Sequence, residues 1–336
     1  MRKISLFVVL LFLVSCSEEV YDAIPDNPEL AFVIPEGFPA VNPAALRNKP
    51  TKYGIELGEK LFFDPRLSRD NSIACATCHI QTAAFADHQL KAVGIEGKVG
   101  LRNVPPIQNM LFMRYYNWDG SKLQLENQVI VPLITPEEMH SSIFEVIGKI
   151  QDDPAYRTLF KKVFGDEQMT DERIYKSIAQ YEYSLISANS KYDQVKRKEA
   201  LFNQEEQFGY EVFQTNCINC HSGELFTDQS FRNIGFPVNP NRDEAGRARV
   251  TGDLKDYMSF RVPSLRNIEF TAPYGSFGQF QTLQEVLDYM DHGVLASANL
   301  DPIFKENENR LPLTEDEKEA LISFMKTLSD FSFIGK

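Results

Sequence analysis

Apolar residues recur at helical spacing along much of the chain, and several of the helices they predict start at capping residues. One helix is predicted over residues 171–187, behind Thr170 as its N-cap. Its apolar face consists of Ile174, Ile178, Tyr181 and Leu185.

Two later helices start with a capping box, in which a Thr and a Glu three residues apart each cap the other's backbone N–H. The first pair is Thr282 and Glu285, and it predicts a helix running to about Asp291. The second pair is Thr314 and Glu317, ahead of an apolar stripe.

Between the predicted helices lie long polar connections, of which residues 236–258 are one example. No run of alternating apolar residues predicts a large sheet. We therefore expect a mainly α protein with long ordered loops. Such loops need a surface to pack on, and a bound cofactor would supply one.

Length, composition and charge narrow the possible functions. The 336 residues suit two domains, and 43% hydrophobic residues suffice for packed cores. A net charge of −12 argues against nucleic acid as a partner, because polyphosphate would be repelled.

The N-terminal residues have the pattern of an export signal. Arg2 and Lys3 precede an apolar run over residues 4–14, which is too short to span a membrane. Cys16 follows small residues as in bacterial lipoproteins, so residues 1–15 are predicted to be cleaved and Cys16 lipidated. A secretory peptide without lipid is the alternative. The Pro-rich residues 16–50 are then expected to form a tether or extended arm.

The other four cysteines form two identical motifs. Residues 75–79 read Cys-Ala-Thr-Cys-His and residues 217–221 read Cys-Ile-Asn-Cys-His. In this pattern the two thiols attach a haem covalently and the histidine ligates its iron. The sequence therefore predicts two haem c groups, attached at Cys75, Cys78, Cys217 and Cys220, with His79 and His221 as axial ligands.

The sequence disfavours two other interpretations of these cysteines. A thioredoxin-type pair would need a βαβ setting, which the pattern does not predict. A four-cysteine zinc site would give no reason for a histidine after each pair.

Beyond these motifs, the sequence resembles the bacterial di-haem cytochrome c peroxidase family over nearly all of residues 51–330. The resemblance is carried by residues 57–64, 100–103, 116–120, 246–252 and 261–274. It implies a peroxidatic haem domain over 51–190 and an electron-transfer haem domain over 191–336, with packing of the last helix across both domains left open.

The resemblance implies a sixth ligand for the second haem. Met290 matches the family's methionine, and a thioether raises the reduction potential as an electron-entry haem requires. His292 is the alternative ligand.

At the first haem, Ile95 occupies the place where many relatives have a histidine ligand. Because isoleucine cannot ligate iron, we expect an open site that needs no reductive activation. His88 and His140 are the alternative ligands for this iron, although a surface histidine is the favoured interpretation of His88.

The resemblance also assigns roles around the haems. Glu138 matches the distal acid–base group, Gln128 the distal amide, and Trp118 the residue on the electron path.

A calcium ion between the domains is implied as well. Its expected ligands are the side chain of Asn103 and the backbone carbonyls of Thr271 and Pro273. The chain departs from the family at Ser276 and Phe277, where relatives have a histidine and an aspartate, so coupling between the haems is expected to differ.

Together these features predict a periplasmic peroxidase, held at a bacterial membrane, most simply the outer one, only by its N-terminal lipid. It would reduce hydrogen peroxide with electrons from a small c-type cytochrome or similar donor. A monomer and a homodimer both stay open. The alternatives are a di-haem oxidase that matures a partner's tryptophans, in which tyrosine replaces Met290, and a non-enzymatic electron-transfer protein.

Overall fold

The computed structural model describes residues 27–237 and 244–335. The predicted signal peptide, Cys16 and the first part of the tether lie outside the described residues. The described chain is mainly α-helical, as predicted. Its helices are α1 Lys52–Phe62, α2 Cys75–Cys78, α3 Leu125–Ile134, α4 Ile143–Ile150, α5 Pro154–Phe164, α6 Asp171–Ser184, α7 Lys191–Lys196, α8 Gln204–Asn216, α9 Ala248–Thr251, α10 Leu283–His292, α11 Pro302–Lys305 and α12 Glu315–Lys326.

The predicted caps determine where three of these helices begin. Thr170, Thr282 and Thr314 each accept a hydrogen bond from the backbone N–H three residues later. At α12 the reciprocal bond is also present, because the Glu317 carboxylate accepts from the N–H of Thr314. At α10 the Glu285 carboxylate accepts from Gln281 instead, so only half of that capping box forms.

The only sheet in the described ranges is a pair of antiparallel two-residue strands, β1 Phe231–Arg232 and β2 Phe260–Arg261. None of the described helices is long and apolar enough to cross a membrane.

The two larger apolar cores of the described residues are each organised around one close helix pair. In the first core, Gly58 of α1 lies directly against the carbonyl group of Ser177 in α6. In the second, Gly209 of α8 lies against the carbonyl group of Ala320 in α12. A side chain at either glycine would overlap backbone atoms, so the glycine is what permits the approach.

Both ends of the described chain pack on the first core. Phe32, Phe38 and Val41, from the Pro-rich segment, pack against it. Near the C-terminus the ring of Phe333 contacts Phe85, with 5.4 Å between ring centroids. The first core is thus covered by segments from both ends of the described chain.

Candidate active site

Each Cys-x-x-Cys-His motif forms one helical turn with the histidine at its end. The N–H of His79 donates to the carbonyl of Cys75, and the N–H of His221 donates to the carbonyl of Cys217, both over 2.9 Å. Two thiols and an imidazole are thereby grouped on one short segment. A macrocycle attached at two neighbouring positions requires this grouping.

The two imidazoles are oriented in the same way. Nδ1 of His79 lies 2.8 Å from the carbonyl oxygen of Phe85, and Nδ1 of His221 lies 3.0 Å from that of Phe226. A carbonyl only accepts, so Nδ1 carries the proton and Nε2 keeps a free lone pair for a metal. Burial lowers the pKa of both histidines, which favours the neutral, ligating form.

The geometry does not support a shared zinc site. Cys75 packs against the first core and Cys217 against the second. Across the described residues, no group of three or more His, Cys, Asp or Glu side chains converges as a metal site would require.

A cavity of about 550 Å³ opens beside the first motif. This volume lies within the range of cofactor sites, roughly 300–1,000 Å³. Cys75, Cys78 and His79 line it together with Gln128 and Glu138. The structure therefore places the predicted attachment residues, proximal histidine and distal polar pair around one space.

The distal pair is positioned by α3 and the turn that follows it. Gln128 lies in α3, and its Nε2 donates to Oδ1 of Asn117 over 3.3 Å. Glu138 is half-buried at the cavity wall. Burial, with a smaller contribution from the Glu137 carboxylate, raises the pKa of Glu138 to about 7. Near neutral pH such a carboxyl group can both accept and return a proton.

The loop that carries Ile95 packs on the backbone of Glu138. Ile95 is buried, and the neighbouring Gly94 lines the cavity against the carbonyl groups of Glu137 and Glu138. His88 is exposed to solvent. His140 is half-buried and is not among the residues that line the cavity. Neither histidine therefore occupies a ligand position in the cavity.

Trp118 lies where the two domains meet. It is buried in a small apolar cluster with Phe236, Met258 and Phe260 from the second half of the chain. Its Nε1 donates to the carbonyl of Asn103 over 2.9 Å. Trp118 also lines the cavity, so the indole ring reaches from the candidate active site into the domain interface.

Of the two candidate ligands in the second domain, only Met290 faces the core. Met290 packs against the apolar cluster that Cys217 also contacts. The side chain of His292 is 69% exposed and lies 3.7 Å from the carboxylate of Asp291. The helical offset between positions 290 and 292 explains this, since two residues turn a side chain about 200° around the axis.

The expected calcium ligands lie on neighbouring loops. The N–H of Asn103 donates to the carbonyl of Ser276 over 3.0 Å, and Thr271 and Pro273 are buried in the same loop as Ser276. Ser276 is fully buried and its hydroxyl has no hydrogen-bond partner. Phe277 packs edge-on against Phe260, with 5.6 Å between ring centroids.

Arg261 and Glu182 are buried ionisable residues of the cavity wall for which the sequence predicted no role. Arg261 comes from the second half of the chain, is 6% exposed, and has no carboxylate partner within the described ranges. Burial lowers its pKa to about 10, so it remains a cation at neutral pH. Glu182, in α6, is 4% exposed. A signal for Glu182 does exist in the sequence, since it follows Ile178 by four residues and so falls on the apolar face.

The residues present fit a covalently held haem. A buried guanidinium without a carboxylate needs an anionic partner, and a haem carries two carboxylates. The paired thiols supply attachment and the neutral imidazole supplies an axial ligand.

Comparison with known proteins agrees with this assignment. Residues 52–201 match the family model described as di-haem cytochrome c peroxidase. The chain is 35% identical to cytochrome c551 peroxidase of Nitrosomonas europaea, over 82% of this chain and 79% of that protein. It is 33% identical to methylamine utilization protein MauG of Methylorubrum extorquens, over 88% and 82%. A solved MauG-like protein associated with microbial copper homeostasis superposes with a TM-score of 0.83 at 29% identity, covering 91% of this chain and 97% of that one.

Proposed function

Because the chain belongs to the di-haem cytochrome c peroxidase family, we propose that it reduces hydrogen peroxide to water with electrons from a small c-type cytochrome or similar donor. The observation that carries this proposal is the single cavity that joins His79 to Glu138 and Gln128. Family membership implies two haem c groups, which supply the iron that exchanges electrons and binds peroxide.

The residues that line the cavity beside the first Cys-x-x-Cys-His motif have distinct roles in this proposal. Cys75 and Cys78 would attach the first haem, and His79 would supply a ligand to its iron. Glu138, on the wall of the same cavity, would take the first proton from peroxide and return it to the departing oxygen. Gln128 holds the peroxide through its amide.

In the second half of the chain, Cys217 and Cys220 would attach the other haem, and His221 and Met290 would ligate its iron. A site closed by two protein ligands would only transfer electrons, so it would serve as the entry point, with Trp118 on the path to the cavity.

Three further features belong to the proposal. Calcium is held by Asn103, Thr271 and Pro273. The chain is exported to the periplasm by residues 1–15 and anchored to the outer membrane by a lipid on Cys16. Solution measurements of the molecular mass would distinguish a monomer from a homodimer.

A peroxide turnover assay tests the function. The haem-loaded protein is mixed with a reduced small c-type cytochrome and peroxide, and donor oxidation is followed by absorbance. We expect two donor molecules oxidised for each peroxide consumed. Absence of catalytic donor oxidation would contradict the proposal and favour a pure electron-transfer protein.

The tryptophan-oxidising alternative is favoured by the MauG relatives. The methionine at position 290 argues against it, because the resemblance implies tyrosine there in such oxidases. Peroxide-driven loss of tryptophan from a partner protein, with no oxidation of a donor cytochrome, would support this alternative.

A further inference from the structure

Glu182 is a buried carboxyl group that the proposed function leaves without a role. It lies in the last turn of α6 and lines the cavity that also holds Cys75. Its Oε2 atom is shielded from solvent and has no hydrogen-bond partner. No lysine, arginine or histidine in the described part of the chain forms an ion pair with it. An ionised carboxylate there would be costly, so the neutral acid is favoured.

No cation among the described residues interacts with Glu182, because Arg261, the buried cation on the wall of the same cavity, interacts with Tyr116 instead. The ionisable side chains that face it, from α2, α3, α6 and the loop before α3, are Cys75, Glu126, Tyr116, Tyr181 and Tyr183. The Glu126 carboxylate accepts a hydrogen bond from Asn48 over 2.7 Å. Burial, with a smaller contribution from Glu126, raises the pKa of Glu182 to about 8.

The proposed reaction needs protons as well as electrons. Reduction of one hydrogen peroxide to two waters consumes two electrons and two protons. Glu138 moves a proton from one peroxide oxygen to the other, so it adds none to the balance. Each electron that enters the buried cavity also adds a negative charge, which favours protonation of a nearby carboxylate.

We propose that at alkaline pH, where the Glu182 carboxyl group is ionised, it takes up a proton when the cofactor attached at Cys75 and Cys78 accepts an electron. One electron goes to the cofactor from the donor, one proton goes from solvent to the Glu182 carboxylate, and only an O–H bond forms. The inference rests on the proposed function, because it assumes that a haem fills the cavity. Its test does not depend on peroxide turnover.

The experiment is a redox titration of the full haem-loaded chain, followed by absorbance at pH values on either side of about 8. In the wild type, the midpoint potential of the first haem is constant at low pH and, above about pH 8, falls with rising pH by the equivalent of one proton per electron. In Glu182→Gln the potential stays at the value the wild type has at low pH, because the amide resembles the protonated acid.

Glu126→Gln is the matched variant. It removes the neighbouring negative charge and keeps Glu182, so the pH dependence persists and moves to lower pH. The second haem, in the other domain, serves as an internal control whose potential Glu182→Gln leaves unchanged. Unaltered pH dependence of the first haem in Glu182→Gln would overturn the proposal.

A second measurement uses the wild type alone, so the proposal can be tested even if Glu182→Gln fails to fold. Recorded above about pH 8, the reduced-minus-oxidised infrared difference spectrum should show a protonated carboxyl band that grows on reduction and shifts in D₂O. Absence of that band would also overturn the proposal. If peroxide turnover is normal but the potential and the infrared band show no proton uptake, the proposed function stands and the role of Glu182 is wrong. If proton uptake is seen without peroxide turnover, the role of Glu182 stands and the proposed function is wrong.

Discussion

The backbone N–H of Ile95 donates to the backbone carbonyl of Glu138, with 2.9 Å between nitrogen and oxygen. The loop that carries a histidine ligand in many relatives is here attached to the residue proposed as the acid–base group. The position of Glu138 thus depends on a loop that has no ligand to contribute.

Gly94 sets how closely the loop approaches Glu138. A Cβ at position 94 would overlap the carbonyl oxygens of Glu137 and Glu138. We expect Gly94→Ala to displace Glu138 and lower kcat/KM for peroxide by roughly 100-fold, since small misplacements of catalytic groups have effects of this size. Steady-state kinetics with peroxide as the varied substrate measure this change in kcat/KM. In the control Gly148→Ala the new Cβ meets open space, so activity should be retained. Equal activity of both variants would contradict the placement.

Glu138 should impose an acidic limb on the pH profile. It must be ionised to accept a proton from peroxide, so kcat/KM should rise as pH increases through about 7. Glu138→Gln should lose this limb and about 10²- to 10⁴-fold in rate while keeping both haems.

Glu137→Gln is the control for that profile. Because the Glu137 carboxylate contributes to the raised pKa of Glu138, the variant should shift the limb to lower pH at nearly full activity. Full turnover in Glu138→Gln would refute the assignment of the acid–base group.

Met290 should control the potential of the second haem. Met290→Leu conserves volume, so we expect a stability change below about 1.5 kcal/mol. Loss of the thioether should lower the reduction potential and abolish the red absorption band of sulfur-ligated ferric haem. Met325→Leu, in the same apolar cluster, is the control and should change neither. A normal band in Met290→Leu would show that another group ligates this iron.

A buried ion pair should stabilise the second domain. The two terminal nitrogens of Arg266 donate to the Asp193 carboxylate over 3.0 and 2.9 Å, and the Arg266 side chain is 0% exposed. Burial alone would raise the pKa of Asp193, but the bonds from Arg266 hold it below its usual value. Asp193→Ala should cost roughly 3–5 kcal/mol, because it leaves a buried charge unpaired.

Thermal unfolding measures that cost. The exposed pair of Arg197 and Glu199 gives the comparison, and Glu199→Ala should cost about 0–1 kcal/mol. Similar losses for the two variants would contradict the distinction between the buried and exposed pairs.

Much of the architecture could be predicted from local sequence. Thr170, Thr282 and Thr314 begin helices because capping depends on residues within one turn. The two Cys-x-x-Cys-His motifs were identifiable for the same reason, since one helical turn holds all their reactive groups.

Contacts between distant segments were not predicted. Arg102 pairs with Glu244 over 2.8 Å across the domains, and Arg261 reaches the first cavity from the second half of the chain. Such pairings depend on how the two cores meet, which no local pattern encodes. Glu182 could be predicted in part. Its spacing from Ile178 places it on an apolar helix face, but no sequence pattern indicates the cavity beside it.

The central claim is that one iron is closed by two protein ligands while the other has a free coordination position. Electron paramagnetic resonance of the fully oxidised, haem-loaded protein tests this most directly. We predict one low-spin and one high-spin ferric signal, with the high-spin signal converted to low spin by cyanide without prior reduction. Two low-spin signals that do not respond to cyanide would contradict the account.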